Sequence, residues 1–107
     1  MPGVTLAICP LSRQASEYLV AKRIRALATD LPAIASFESI DARLRGHQPP
    51  EEVWEEYLPL MQAQIPIIAG LVNIDALIGE SKILFLALPL PLSDATGSPV
   101  RASALIY

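Results

Sequence analysis

Few side chains in this sequence are equipped for chemistry, and their scarcity already narrows the reactions open to it. Cys9 is the one cysteine and His47 the one histidine. A lone cysteine forms no intramolecular disulfide and no thiolate zinc site. A nucleophilic thiol at Cys9 would need a neighbouring base, and His47 lies in a loop-like stretch between Gly46 and Pro49. A buried structural thiol and a solvated loop histidine are the simpler readings. Glu56 and Tyr57 are adjacent, a carboxylate and a phenol that could act as base, acid or hydrogen-bonding pair, against the plainer reading of a half-buried helix tyrosine. Arg101 could bind a carboxylate, although an ion pair with Asp30 or Asp75 is the simpler expectation. Ser98 lies in a Gly97-Ser98 turn that is no phosphate loop, having one glycine and a strand-like continuation.

The elements that must position these groups follow from hydrophobic spacing. Residues 4–8 are apolar and β-branched and stop at Cys9-Pro10, which predicts a strand. Ser12 is placed to cap a helix that ends near Arg23, with Ala15, Leu19 and the stem of Lys22 on one face, Tyr18 beside them, and Arg13 and Glu17 paired on the exposed side. Residues 24–29 alternate as a second strand. Phe37, Ile40 and Leu44 suit one or two helical turns. Pro49-Pro50 followed by Glu51 and Glu52 opens a helix carrying Val53, Trp54, Tyr57, Leu58 and Met61. Pro59 must kink that helix or sit in the first turn of a second one. A short strand at 65–68, a turn or short helix at 73–78, a strand at 82–88 read as buried on both faces, and a final strand at 100–107 complete the pattern.

With 107 residues the chain is expected to form a single domain, and no linker or internal repeat divides it. A hydrophobic content of 52% against 18% charged residues is apolar for so small a domain, so a homo-oligomer or a partner chain is expected to cover the surplus. The net charge of −3 argues against nucleic acid, which demands a basic footprint. No apolar run approaches the roughly 18 to 20 residues that cross a bilayer, and no secretion signal opens the chain, so no membrane association and a cytoplasmic location are expected.

Two stretches carry a family resemblance. The run Ile65-Pro66-Ile67-Ile68-Ala69-Gly70-Leu71, with Asn73 and Leu77 after it, resembles the isoleucine, proline, isoleucine, isoleucine, glutamate, glycine, leucine segment of metal-dependent cyclases of the kynurenine formamidase (arylformamidase) type. Leu86-Ala87-Leu88-Pro89-Leu90, followed by Gly97-Ser98-Pro99-Val100-Arg101-Ala102, is similar to that family's terminal motif. More loosely, Pro10-Leu11-Ser12 with Ala15, Tyr18 and Leu19, and then residues 24–30 ending in Asp30, look like its proline, leucine, serine helix and following strand. The resemblance spans about residues 10 to 107 and corresponds to the C-terminal half of a usual member.

The resemblance implies an α/β fold, a mixed β-sheet of four or five strands with two or three helices, like the C-terminal half of the swivelling β/β/α-like cyclase fold. It also implies hydrolysis of an amide or lactone by metal-bound water, but the family's ligands are two histidines and an aspartate in the N-terminal half, a further histidine, and a histidine and glutamate from the C-terminal half. The last two positions are Tyr57 and Ala69 here. A methyl group has no lone pair, and a phenol titrating near 10 is a poor ligand at neutral pH. No metal and no cofactor are therefore expected. The family can also carry a histidine at the position of Cys9. The leading expectation is a non-catalytic relative that binds a small organic ligand or a protein, with Tyr57, Ala69, Ser98 and Arg101 as ligand-binding candidates. The alternatives are a metal-free cyclase, isomerase or hydrolase of secondary metabolism using Tyr57, Glu56 or Cys9, and one subunit of a split metal-dependent hydrolase whose partner supplies the missing half.

Overall fold

The computed structural model describes residues 10–35, 38, 41–42, 45–46 and 54–107. The strand expected at 4–8, with Cys9, and the sites of Phe37, Ile40, Leu44, His47 and Pro49 to Val53 lie outside the described residues. The chain divides into two compact units, Met1–Leu71 and Val72–Tyr107. Both α-helix and β-strand are present, as expected, but the described strands form two separate two-stranded sheets rather than a single mixed one.

In the first unit, helix α1 spans Arg13–Ala21. Ser12 caps it by accepting the Ala15 amide at 3.1 Å, and Arg13 pairs with Glu17 at 3.0 Å one turn later. The helix stops at Lys22, and Arg23 turns the chain in the left-handed region at φ 58°. Strand β1 is only Leu27–Ala28. After a turn at 54–57, helix α2 covers Leu58–Gln62, with Pro59 in its first turn. Proline is at home there because its missing N–H would have no intrahelical acceptor. Gln64, at φ 57°, reverses the chain into Ile65, and strand β2, Ile67–Ile68, lies parallel to β1 with Leu27 opposite Ile67. The pairing is carried by slanted bonds of the parallel kind: Leu27 N–H donates to the Pro66 carbonyl at 3.0 Å and Thr29 N–H to the Ile68 carbonyl at 2.9 Å.

Helices α1 and α2 pack together, and the core lies in this unit. Ile34, Leu60 and Ile65 are its buried centre, ringed by Leu11, Leu19, Val20, Ile24, Leu27, Tyr57 and Ile67. The buried stripe of α1 is thus Ser16, Leu19 and Val20, while Tyr18 points outward with the Lys22 ammonium 5.3 Å from its ring centre. The expectation of Ala15 and the Lys22 stem on the core face is corrected by a rotation of roughly one residue around the helix.

In the second unit, Ile74–Leu77 forms a single 3-10 turn entered through Asn73 in the left-handed conformation. Strands β3, Ile83–Pro89, and β4, Val100–Ile106, form an antiparallel hairpin with Ile83 opposite Ile106 and Pro89 opposite Val100. The expectation that β3 is covered on both faces is overturned: Leu84, Leu86 and Leu88 are exposed, and no described residue of this unit is fully buried. A continuous apolar run announces burial, but no described residue of this unit forms a second layer over that face.

Leu60 is fully buried at the centre of the only described core cluster. Leu60→Ala is expected to cost about 2–5 kcal/mol, a large share of a small domain's total stability. A urea titration followed by circular dichroism measures it, and a cost below about 1 kcal/mol would contradict this placement of the core.

Candidate functional site

Glu56, Tyr57 and Ala69 belong to the first unit, Ser98 and Arg101 to the second. Tyr57 precedes α2, where its ring meets Trp54 edge to face, with centroids 5.3 Å apart and planes at 79°. Its hydroxyl accepts the Ile34 amide at 3.3 Å. The tyrosine is half-buried, its ring packed against the core and its oxygen occupied by backbone. It therefore acts as a strut between the turn at 54–57 and the buried loop around Ile34, and a ligand would have to share that oxygen.

Glu56 is buried and plays two parts. Its backbone carbonyl accepts the hydroxyl of Ser16 at 2.6 Å, joining α1 to the turn before α2. Its side-chain Oε2 is buried with no hydrogen-bond partner. A buried carboxylate oxygen left unmatched is costly, and among the described residues it is the one buried side-chain polar atom without a partner. Ala69 is exposed beside Gly70, and the backbone there is held by the Gly70 amide donating to the Leu31 carbonyl at 2.8 Å. Ala69 itself offers only a methyl group, which carries no chemistry.

Ser98 accepts the Leu90 amide at 3.1 Å and so closes the connection between β3 and β4. Arg101 is exposed on β4 and forms no ion pair with a described residue of its own unit, Asp75 included. It stands opposite Leu88 in the hairpin. Among the described residues no group of three or more His, Cys, Asp or Glu side chains could hold a metal ion, and Cys9 and His47 lie outside them.

What sequence reasoning missed is Ser16 and the shape of the hairpin. Ser16 shares a helical stripe with Leu19 and Val20 at spacings of three and four, which is the signal that would have marked it as inward-facing. In the hairpin, side chains of opposed residues share a face. One face carries Ile83, Phe85, Ala87 and Pro89 with Val100, Ala102, Ala104 and Ile106; it is wholly apolar. The other carries Leu84, Leu86, Leu88 and Leu105 with Arg101 and Ser103, and its four leucines are 42%, 42%, 78% and 55% exposed in that order. Both faces of one small hairpin are thus apolar, which is the arrangement of an element awaiting a partner.

No family model matches the chain, and neither a curated protein nor a solved structure matches it. No helix among the described residues is long and apolar enough to cross a membrane.

The Ser16 bond is shorter than the Tyr57 bond to Ile34 and is buried. Ser16→Ala is expected to cost about 1–3 kcal/mol, because it strands the Glu56 carbonyl, and Tyr57→Phe about 1 kcal/mol. Urea titrations with unchanged slope would measure both. Equal costs, or a larger one for Tyr57→Phe, would contradict this ranking.

Proposed function

We propose that this chain is a non-catalytic relative of the kynurenine formamidase-type cyclases that works by binding another protein chain through its β3–β4 hairpin. The observation that carries the proposal is the leucine face of Leu84, Leu86, Leu88 and Leu105, open on a two-stranded sheet. An isolated hairpin is marginal in water, and three or more strands or a covering layer are needed for independent stability. The kinship rests on the motifs at 65–71 and 86–102, and the lack of catalysis on Tyr57 and Ala69 standing where the family's ligands belong. The partner is a second copy or a separate subunit, and the setting in which it is met is the cytoplasm.

Magnitudes set a condition on this binding. Covering the exposed parts of the four leucines contributes about 3–6 kcal/mol at the usual 1.5–3 kcal/mol per fully buried side chain. Association costs roughly 4–15 kcal/mol in lost freedom. The leucine face alone therefore holds a partner weakly, and a second set of interactions is required.

A second reading, a metal-free enzyme, is favoured by one feature: the Oε2 of Glu56 is a buried carboxylate oxygen with no hydrogen-bond partner. The two readings separate in an assay of the purified chain with N-formylkynurenine and with simple amides and lactones, with zinc or manganese and with chelator. No turnover above buffer is expected. Turnover lost on chelation overturns the proposal, and chelator-resistant turnover abolished in Glu56→Gln replaces it with the second reading. The binding role is tested by a benzophenone amino acid at Leu88 in cells producing the full chain. A discrete adduct with one identified protein is expected from that position and none from Gln14, on the exposed side of α1. No adduct from Leu88, or the same smear from both positions, overturns it.

A further inference from the structure

The required second set of interactions is visible in the backbone of the hairpin. The Tyr107 amide donates to the Lys82 carbonyl, and these two residues stand directly opposite in the register that pairs Ile83 with Ile106. Residues opposite each other in an antiparallel ladder alternate between hydrogen-bonded and non-hydrogen-bonded pairs. Starting from 82 and 107, the pairs Leu84 with Leu105, Leu86 with Ser103 and Leu88 with Arg101 are the hydrogen-bonded ones. Ile83, Phe85, Ala87 and Pro89, and opposite them Ile106, Ala104, Ala102 and Val100, direct their N–H and C=O groups away from the hairpin, to its two outer edges.

The two edges are not equivalent. On β3 the outward series ends in Pro89, which has no N–H to give, and tolerates that position because the ladder to β4 loses nothing. On β4 all four outward residues keep both groups, and among the described residues β4 pairs only with β3. Strand edges are ordinarily guarded by outward charges, proline or bulges. The outward positions of β4 carry only valine, alanine and isoleucine. The one charge on the strand, Arg101, is at an inward-bonding position.

We infer that the outer edge of β4 pairs antiparallel with the same edge of a second copy of this chain, about a two-fold axis at Ser103. The proposal rests on the binding role argued above and names its partner. A two-fold contact must be self-complementary, and the register centred on Ser103 is the one that uses every outward group: Val100 meets Ile106 of the other copy, and Ala102 meets Ala104. Shifting the centre to Ala102 or Ala104 leaves Ile106 or Val100 unpaired. In the Ser103 register each Arg101 lies opposite Leu105 of the other copy, so the only charges on the two strands are not brought face to face. Small side chains at Ala102 and Ala104 leave the centre of the seam uncrowded. The product is a four-stranded antiparallel sheet in the order β3, β4, β4, β3, with a doubled leucine face.

The register predicts its own crosslink. Ser103 would face Ser103 of the second copy in a non-hydrogen-bonded pair, where Cα atoms are about 4.5 Å apart, within the range a disulfide spans. In a Cys9→Ser background, Ser103→Cys is expected to give a reducible covalent dimer on mild oxidation, and Leu105→Cys none, since each Leu105 faces Arg101. Sedimentation of the unaltered chain should report twice the 11.5 kDa monomer mass. Ala104→Pro, which removes an outward donor without touching the hairpin ladder, should sediment as monomer where Ala87→Pro, on the outer edge of β3, remains dimeric. Equal crosslinking at 103 and 105, or dissociation by Ala87→Pro rather than Ala104→Pro, overturns the inference. So does an unaltered chain that stays monomeric, including one whose outward β4 amides resist hydrogen exchange because another segment of the same chain covers them. A monomer that still gives a discrete adduct with a different protein from Leu88 removes self-pairing and leaves the binding role; a monomer giving no adduct removes both.

Discussion

The first unit depends on the burial of a few side chains, Ile34, Leu60 and Ile65, in the absence of any larger apolar layer among the described residues. Two polar contacts keep that cluster closed. The Ser16 hydroxyl ties α1 to the Glu56 carbonyl, and the Tyr57 hydroxyl receives the amide of Ile34 itself. Each satisfies a backbone group that would otherwise sit near apolar atoms without a partner. The neighbouring residues 56 and 57 thus fasten two different segments to α2's entrance, one through main chain and one through side chain. Of the two side chains suited by type to acid–base chemistry, that of Tyr57 is engaged in structure, whereas Glu56 contributes its main chain and leaves Oε2 unpartnered.

The second unit shows the reverse condition. The hairpin has good local geometry: Ser98 closes one end through the Leu90 amide, and the Lys82 ammonium lies 5.0 Å from the ring centre of Tyr107 at the other. What it lacks, among the described residues of its unit, is a layer to bury its apolar faces against. Every exposed leucine and isoleucine among the described residues belongs to residues 72–107. Hydrogen bonds in a solvated ladder contribute little net stability because water competes for the same groups. Apolar burial stabilises more, and two strands alone cannot provide it on both faces. The deficit is a physical reason to look outward for a partner, and it does not depend on any family kinship.

Local signals in the sequence were legible where they depend on a residue's own stereochemistry. Ser12 as a cap, the Arg13–Glu17 pair, one of the two readings of Pro59 and, to within a residue at their ends, the strands expected at 82–88 and 100–107 follow from capping, ring geometry, helical spacing and strand propensity. Quantities set by distant neighbours were not. Whether the apolar run at 83–89 is covered depends on a second layer, which no local pattern encodes. The strands at 27–28 and 67–68 are far shorter than their alternation suggested, because pairing is limited by the partner as well as by propensity. The rotation of α1 turned on Ser16, a small polar residue buried because an unclaimed carbonyl faces it. For the candidate site, residue type alone says that Ala69 carries no donor or acceptor on its side chain, but only tertiary contacts show that the Tyr57 hydroxyl is engaged by the Ile34 amide.

Pro89 joins these threads. Read as a residue type, it should end the strand, since proline cannot donate to a ladder. In the hairpin it is the last paired residue of β3, and it is tolerated because its nitrogen faces outward. The same geometry that admits Pro89 fixes the phase of the whole ladder, and the phase determines which groups each edge presents. One edge is blunted by that proline while the other, on β4, keeps every donor and acceptor. Among the described residues the two edges of the hairpin therefore differ by one donor, and that difference follows from the same phase that lets a proline stand inside a paired strand.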